Sequence, residues 1–259
     1  MRISLMSYTF HPMTQEGTMD AFTYLETVRF RYDLTTADLW NRTLARLDAD
    51  YLDAFRLALV ERELDLVNLA VDGAHIWEDD ADTREAHHQV ALEHLLAAER
   101  LGAKTVRIDP GGSRDELEWT DEQFDQIVTR YREYAQRAHD NGYRVGPENH
   151  WGAGTVPQEV KRLCEAVDHP AFGVLLHCRR WKGDLADRGD EMVAPWTMHL
   201  HLGANLSDDE LSDTMVMLRD AGYAGVWGIE LGGATHAEAG VMVARVRRVL
   251  EGWRLGSTA

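Results

Sequence analysis

Four ionisable residues, each at or near the end of a short apolar run, are the part of this chain best suited to chemistry: Glu148, His177, His201 and Glu230. In a strand, alternate residues share a face. Gly146 and Glu148 then lie together, as do Gly173, Leu175 and His177, His199 and His201, and Val226, Gly228 and Glu230. If these runs are neighbouring strands facing one point, two carboxylates and two imidazoles converge there. Such a set suits Mn²⁺, Co²⁺, Zn²⁺ or Mg²⁺ and leans away from Ca²⁺. A carbon next to a carbonyl is too weak an acid for an unaided carboxylate, but a metal that polarises the carbonyl oxygen brings it within reach. Glu148 and Glu230 are therefore candidate base and acid as well as ligands. His199, one layer below His201, reads as a hydrogen-bonded core histidine.

Other residues fall just after the same kind of run. Arg180 offers a fixed positive charge to an enolate, a leaving oxygen or a carboxylate; the alternative is a solvated Arg179-Arg180 pair neutralised by Asp184 and Asp187. His11, His75, Asn149 and His150 are substrate-binding candidates, and Trp40 and Trp181 could stack on a sugar ring, with Trp77 and Trp151 similarly placed. Packing under loops explains any single tryptophan equally well. His87, His88 and His139 sit in helical patterns and read as surface residues. Asp79, Asp80 and Asp82 read as a solvated loop, because the EF-hand spacing is absent. Cys178 follows His177 directly and points to the opposite face.

The elements that must position these groups alternate along the chain. Strand-like runs at 3–9, 34–40, 64–71, 105–109, 144–150, 172–178, 197–202 and 226–231 are separated by helical patterns at 50–63, 83–101, 121–141, 156–167, 208–221 and 237–253. Gly102, Gly142 and Gly222 mark helix ends, and Thr120 with Asp121 and Glu122 marks a helix start. Eight strands in alternation predict an α/β fold, a single (β/α)8 TIM barrel spanning residues 1–259 with its site at the C-terminal strand ends. An open doubly wound sheet is disfavoured, since Ser7-Tyr8-Thr9-Phe10-His11 stands where a glycine-rich turn would follow the first strand.

The balance of 27 Lys+Arg against 44 Asp+Glu gives a net charge of −17, which argues against nucleic acid or an anionic membrane as partner. Two cysteines, Cys164 and Cys178, make no disulfide framework, and residues 1–12 read as neither signal peptide nor membrane span, so a reducing cytoplasm is expected.

The segments Pro147-Glu148-Asn149-His150, His199-Leu200-His201-Leu202-Gly203 and Gly222-Tyr223-Ala224-Gly225 followed by Gly228-Ile229-Glu230-Leu231 resemble the sugar phosphate isomerase/epimerase family, the xylose isomerase-like barrels of the AP endonuclease superfamily. Met6-Ser7-Tyr8-Thr9-Phe10 and Thr36-Ala37-Asp38-Leu39-Trp40 extend the match over nearly the whole chain. The resemblance implies Glu, Asp, His and Glu as metal ligands, falling on Glu148, His177, His201 and Glu230, with His177 in place of Asp. That exchange makes the site one charge more positive. Arg180 stands where family members often carry a substrate-facing His, and Ser207 where a substrate-contacting Arg is common.

The expected function is a metal-dependent isomerase or epimerase of carbohydrate metabolism, acting on a sugar or sugar-like keto or polyol substrate. A lyase on the same scaffold, a dehydratase or β-eliminating enzyme, is the alternative, followed by a non-catalytic sugar-binding subunit. The expected cofactor is one divalent ion, manganese first, then cobalt, magnesium or zinc. A small carbohydrate is the expected partner, and the resemblance implies a dimer or tetramer.

Overall fold

The computed structural model describes residues 2–256 of the chain. Its strands are β1 (Ile3–Leu5), β2 (Thr36–Trp40), β3 (Asp65–Val71), β4 (Thr105–Ile108), β5 (Arg144–Gly146), β6 (Val174–His177), β7 (Thr197–Leu202) and β8 (Trp227–Ile229). Between and after them run α1 (His11–Gln15), α2 (Ala21–Glu26), α3 (Ala49–Glu61), α4 (Ala81–Leu101), α5 (Asp121–Asn141), α6 (Pro157–Val167), α7 (Gly189–Val193), α8 (Asp208–Asp220) and α9 (His236–Gly256). The longer helices follow the three- and four-residue spacing of their apolar positions. In α5 the buried face is Phe124, Ile127, Val128, Tyr131, Tyr134, Ala135 and Ala138. Thr120 and Gln123 close a reciprocal capping box at its start, and Gly142 ends it in the left-handed conformation at φ +77°.

The strands are shorter than the apolar runs that contain them. β1 stops at Leu5 because Ser7–Phe10 winds into a 3-10 turn. β5 stops at Gly146, since Pro147 has no N–H to continue a ladder. Glu148 and Glu230 therefore stand just beyond their strands. The β1–β2 connection holds α1, α2 and a π-helical turn at Thr27–Arg31, none of which the periodicity announces.

All strand pairs are parallel, in two ladders ordered β2-β3-β4-β5 and β6-β7-β8-β1. Isolated bridges join the ladders at two seams, Met6 with Asp38 at one, and Val145 with Phe172 and Glu148 with Leu175 at the other. At the first seam the buried Tyr24 phenol donates to the Leu5 carbonyl at 2.7 Å and accepts from the Asp38 amide at 2.9 Å. At the second, Gly173 N–H donates to the Val145 carbonyl at 3.1 Å and Leu175 N–H to that of Pro147 at 2.8 Å. Only glycine permits this approach: a Cβ on Gly146 would lie 1.7 Å from the Gly173 carbonyl oxygen.

One continuous apolar core joins the strands to the surrounding helices, with Phe55, Leu95, Ile127, Leu163 and Leu218 wholly buried in it. Each such large side chain contributes about 1.5–3 kcal/mol by leaving water. Two ladder irregularities set the height of the mouth residues. Val67 is passed over between the partners of Ala37 and Asp38, and Met198 between those of Val174 and Leu175. Beyond the second, His177 pairs with His201, which brings the two imidazoles side by side. Among the described residues no helix is long and apolar enough to cross a membrane.

Candidate active site

Glu148, His177, His201 and Glu230 each offer one ligand atom at the C-terminal end of the barrel, and these atoms lie within 4.8 Å of one another. His177 Nδ1 is 3.2 Å from Glu148 Oε1 and 3.7 Å from Glu230 Oε2. His201 Nδ1 and Glu230 Oε2 are 2.7 Å apart, yet both are buried without a hydrogen bond, because they are not aligned for one. Two buried atoms with lone pairs, drawn together but unbonded, are what a shared cation would satisfy. The donor set, two carboxylates and two imidazoles, fits a divalent metal and leaves coordination positions open.

Behind the ligands lies a residue not singled out as a site member in the sequence. Asp38 is fully buried, and its Oδ2 accepts from His199 Nε2 at 2.7 Å and His201 Nε2 at 3.2 Å. Ser4 Oγ donates to the same oxygen at 3.1 Å, and Asn68 Nδ2 to Oδ1 at 2.9 Å. With its Nε2 proton on Asp38, His201 turns Nδ1 toward the ligand cluster, where a cation would take the place of the Nδ1 proton. Burial alone would raise the Asp38 carboxyl, but His199 and His201 hold it far below the ordinary carboxylate range. Burial opposes charge on His201 too, yet Asp38 and Glu230 push it up to about 10. Gly228 makes the space: a Cβ there would meet the Leu200 carbonyl oxygen at 2.1 Å and the His199 and His201 rings at 3.0 Å.

On the opposite side, Arg107 rises from β4 almost wholly buried. Its Nη1 donates to Asp72 Oδ1 and Asp109 Oδ2, each at 2.9 Å, and its Nε lies 3.4 Å from Glu148 Oε2. Arg180 Nη1 donates to Glu148 Oε1 at 3.3 Å. Burial would raise the Glu148 carboxyl, but His150, His177 and Arg107 hold it well below its usual value, so it stays ionised. His150 Nδ1 sits 3.1 Å from Asp109 Oδ2; burial disfavours its charge, while Glu148 and Asp109 raise its pKa.

Above these groups opens a cavity of about 540 Å³, within the size range of small-molecule sites. Of the residues expected at the site, Trp40, Glu148, His150, His177, Arg180 and Glu230 line it, and His201 lies fully buried. Four others stand elsewhere. Asn149 is buried and clamps the backbone, accepting from His177 N–H at 2.7 Å and donating to the His177 carbonyl at 2.9 Å. His11 stacks behind Tyr8 with ring centroids 4.4 Å apart. Trp181 turns to a neighbouring cleft and donates to Asp190 Oδ1 at 2.6 Å. His75 packs with Glu78 and His87 outside the cavity. Tyr8, Asp72, Arg107 and Asn205 also line the cavity. Asp72, Arg107 and Asp109 fall at or just past the ends of the strand-like runs at 64–71 and 105–109, but nothing in the sequence shows that they pair with one another.

The family model described as xylose isomerase-like TIM barrel matches residues 31–247. Among solved structures, a 3-keto-D-glucoside 4-epimerase from E. coli aligns with a TM-score of 0.76 at 12% identity, covering 97% of this chain and 99% of that one. A D-psicose 3-epimerase, determined in the presence of D-fructose, aligns with a TM-score of 0.73 at 16% identity, covering 98% and 99%. A probable 3-DHS dehydratase involved in petrobactin synthesis, from Bacillus anthracis, aligns with a TM-score of 0.71 at 14% identity, covering 95% and 98%. No curated protein matches the sequence.

Proposed function

This chain belongs to the xylose isomerase-like TIM barrel family, and on that footing we propose that it is a metal-dependent isomerase or epimerase of a keto-sugar or a sugar-like polyol. The observation that carries the reading is the convergence of Glu148, His177, His201 and Glu230 at the floor of a polar cavity. These four side chains would hold the ion, with manganese the first choice for a mixed oxygen and nitrogen set. A bound divalent cation supplies Lewis acidity to a substrate carbonyl oxygen.

The protein's own groups account for the proton traffic. Glu148 is ionised and faces the cavity, so it is the group to take a proton from the carbon next to the carbonyl. Glu230, on the other side of the cluster and more open to the cavity, is the group to return one. The nearest oxygens of the two carboxylates are within 4.8 Å, so they bracket a reacting centre rather than a whole ring. Trp40 presents a partly buried ring to the cavity, held by a hydrogen bond from Nε1 to Asp72 Oδ2 at 2.8 Å, and offers a stacking wall for a sugar.

Arg180 supports a second reading. Its guanidinium is partly exposed at the cavity wall beside Glu148, where a permanent cation would stabilise a departing oxygen as in a dehydratase. Both readings share the proton abstraction and differ in the next step, proton return in one and loss of an oxygen in the other. Incubating the Mn²⁺-loaded protein with a panel of keto-sugars in D₂O tests them together. Deuterium next to the carbonyl with a new epimer or isomer supports the first, and an unsaturated product formed with loss of the oxygen as water or an alcohol, whether or not the recovered substrate carries deuterium, supports the second. Neither exchange nor an unsaturated product with any member of the panel would count against both and favour a sugar-binding role.

A further inference from the structure

The geometry points to a second divalent-cation site, outside the cavity, in which His75, Glu78 and His87 take Zn²⁺. His75 and Glu78 lie on the loop between β3 and α4, and His87 lies on α4 itself. One atom from each falls within 4.8 Å of the others. Glu78 Oε1 is 2.6 Å from His75 Nδ1 and 3.5 Å from His87 Nδ1. The imidazole rings meet edge to face, with centroids 5.3 Å apart. His87 Nδ1 is buried and has no hydrogen-bond partner, the same signature as His201 Nδ1 at the cavity floor. A buried ring nitrogen facing a carboxylate oxygen that already serves another imidazole is poorly satisfied by protein alone.

Two imidazoles and one carboxylate, with a fourth position open to water, match the chemistry of zinc at about 2.0–2.2 Å from each ligand. The backbone beneath the three side chains is held by hydrogen bonds. Ile76 and Trp77 N–H donate to the Asp109 and Pro110 carbonyls at 3.2 and 2.8 Å, while Asp80 caps α4 by accepting from Thr83 N–H at 2.8 Å. An ion here would tie the loop to its helix. It would also steady one wall of the cavity, because the His75 ring lies 4.9 Å from that of Trp151, and Trp151 packs at 4.7 Å on His150.

The test counts Zn²⁺ bound to metal-stripped, full-length protein by calorimetric titration at micromolar metal. The His75→Ala/His87→Ala variant should bind one equivalent fewer than wild type, and His201→Ala should keep the equivalent that the double variant loses. These counts hold whichever reaction the cavity performs. Equal counts in wild type and a folded double variant would overturn the inference. Should the double variant fail to fold, modification of histidines in wild type by diethyl pyrocarbonate, mapped by mass spectrometry, decides. Zn²⁺ should protect His75 and His87, and unprotected labelling of both at saturating Zn²⁺ would overturn the site.

Discussion

Asp38 determines which nitrogen His201 presents to the cavity. Replacing it with Asn keeps the shape but removes the anion that orients both His199 and His201. Losing such a partner typically lowers metal affinity by about 10- to 100-fold, which Mn²⁺ titration of Asp38→Asn should show. Unchanged affinity would mean that the tautomer is set elsewhere. Arg180 offers a different contrast, because it touches Glu148 from the cavity wall. Arg180→Lys keeps the charge but loses the planar fork, and Arg180→Met loses both. A graded fall in turnover, about 100- to 1000-fold for Met, with metal content unchanged, is the expected result. Wild-type turnover in Arg180→Met would make Arg180 a solvated loop residue. At this scale the convergence of Glu148, His177, His201 and Glu230 is legible from period-two alternation once the runs are placed as neighbouring barrel strands, although Glu148 and Glu230 prove to lie just past their strand ends. The Asp38 contacts are not, because they join β2 to residues 161 and 163 positions away in β7.

Strands and helices impose their own demands. Gly228 is bare so that β8 can pass the Leu200 carbonyl and leave the barrel interior to two imidazoles. Gly228→Ala should therefore destabilise the fold by about 1–3 kcal/mol in urea unfolding, as overpacking of a tight core does, and weaken metal binding with it. A neutral effect would show that β8 shifts freely. The alternation of short apolar runs with helical periods reveals the order of the elements, since both periods are properties of the chain itself. Where strands end is less legible. Pro147 and the turn at Ser7–Phe10 stop their ladders early, and the backbone beyond then bends according to tertiary contacts. That bending carries His11, His75 and Trp181 away from the cavity, because loop direction depends on distant partners such as Asp190.

For the molecule as a whole, the continuous core between strands and helices should keep the barrel folded with or without the proposed ion. A chelator should abolish activity while far-ultraviolet circular dichroism stays largely intact; loss of the helical signal would contradict this. The strongly acidic composition leaves the cationic groups Arg107 and Arg180 confined to a site already rich in carboxylates. Glu148 and Glu230 among them are the groups that would hold the proposed cation. The most direct test is equilibrium dialysis of metal-stripped wild type and His201→Ala against Mn²⁺. One tightly bound equivalent fewer in the variant, with its fold preserved, is the predicted result, whereas the same number bound with the same affinity in both proteins would contradict a metal centre at Glu148, His177, His201 and Glu230.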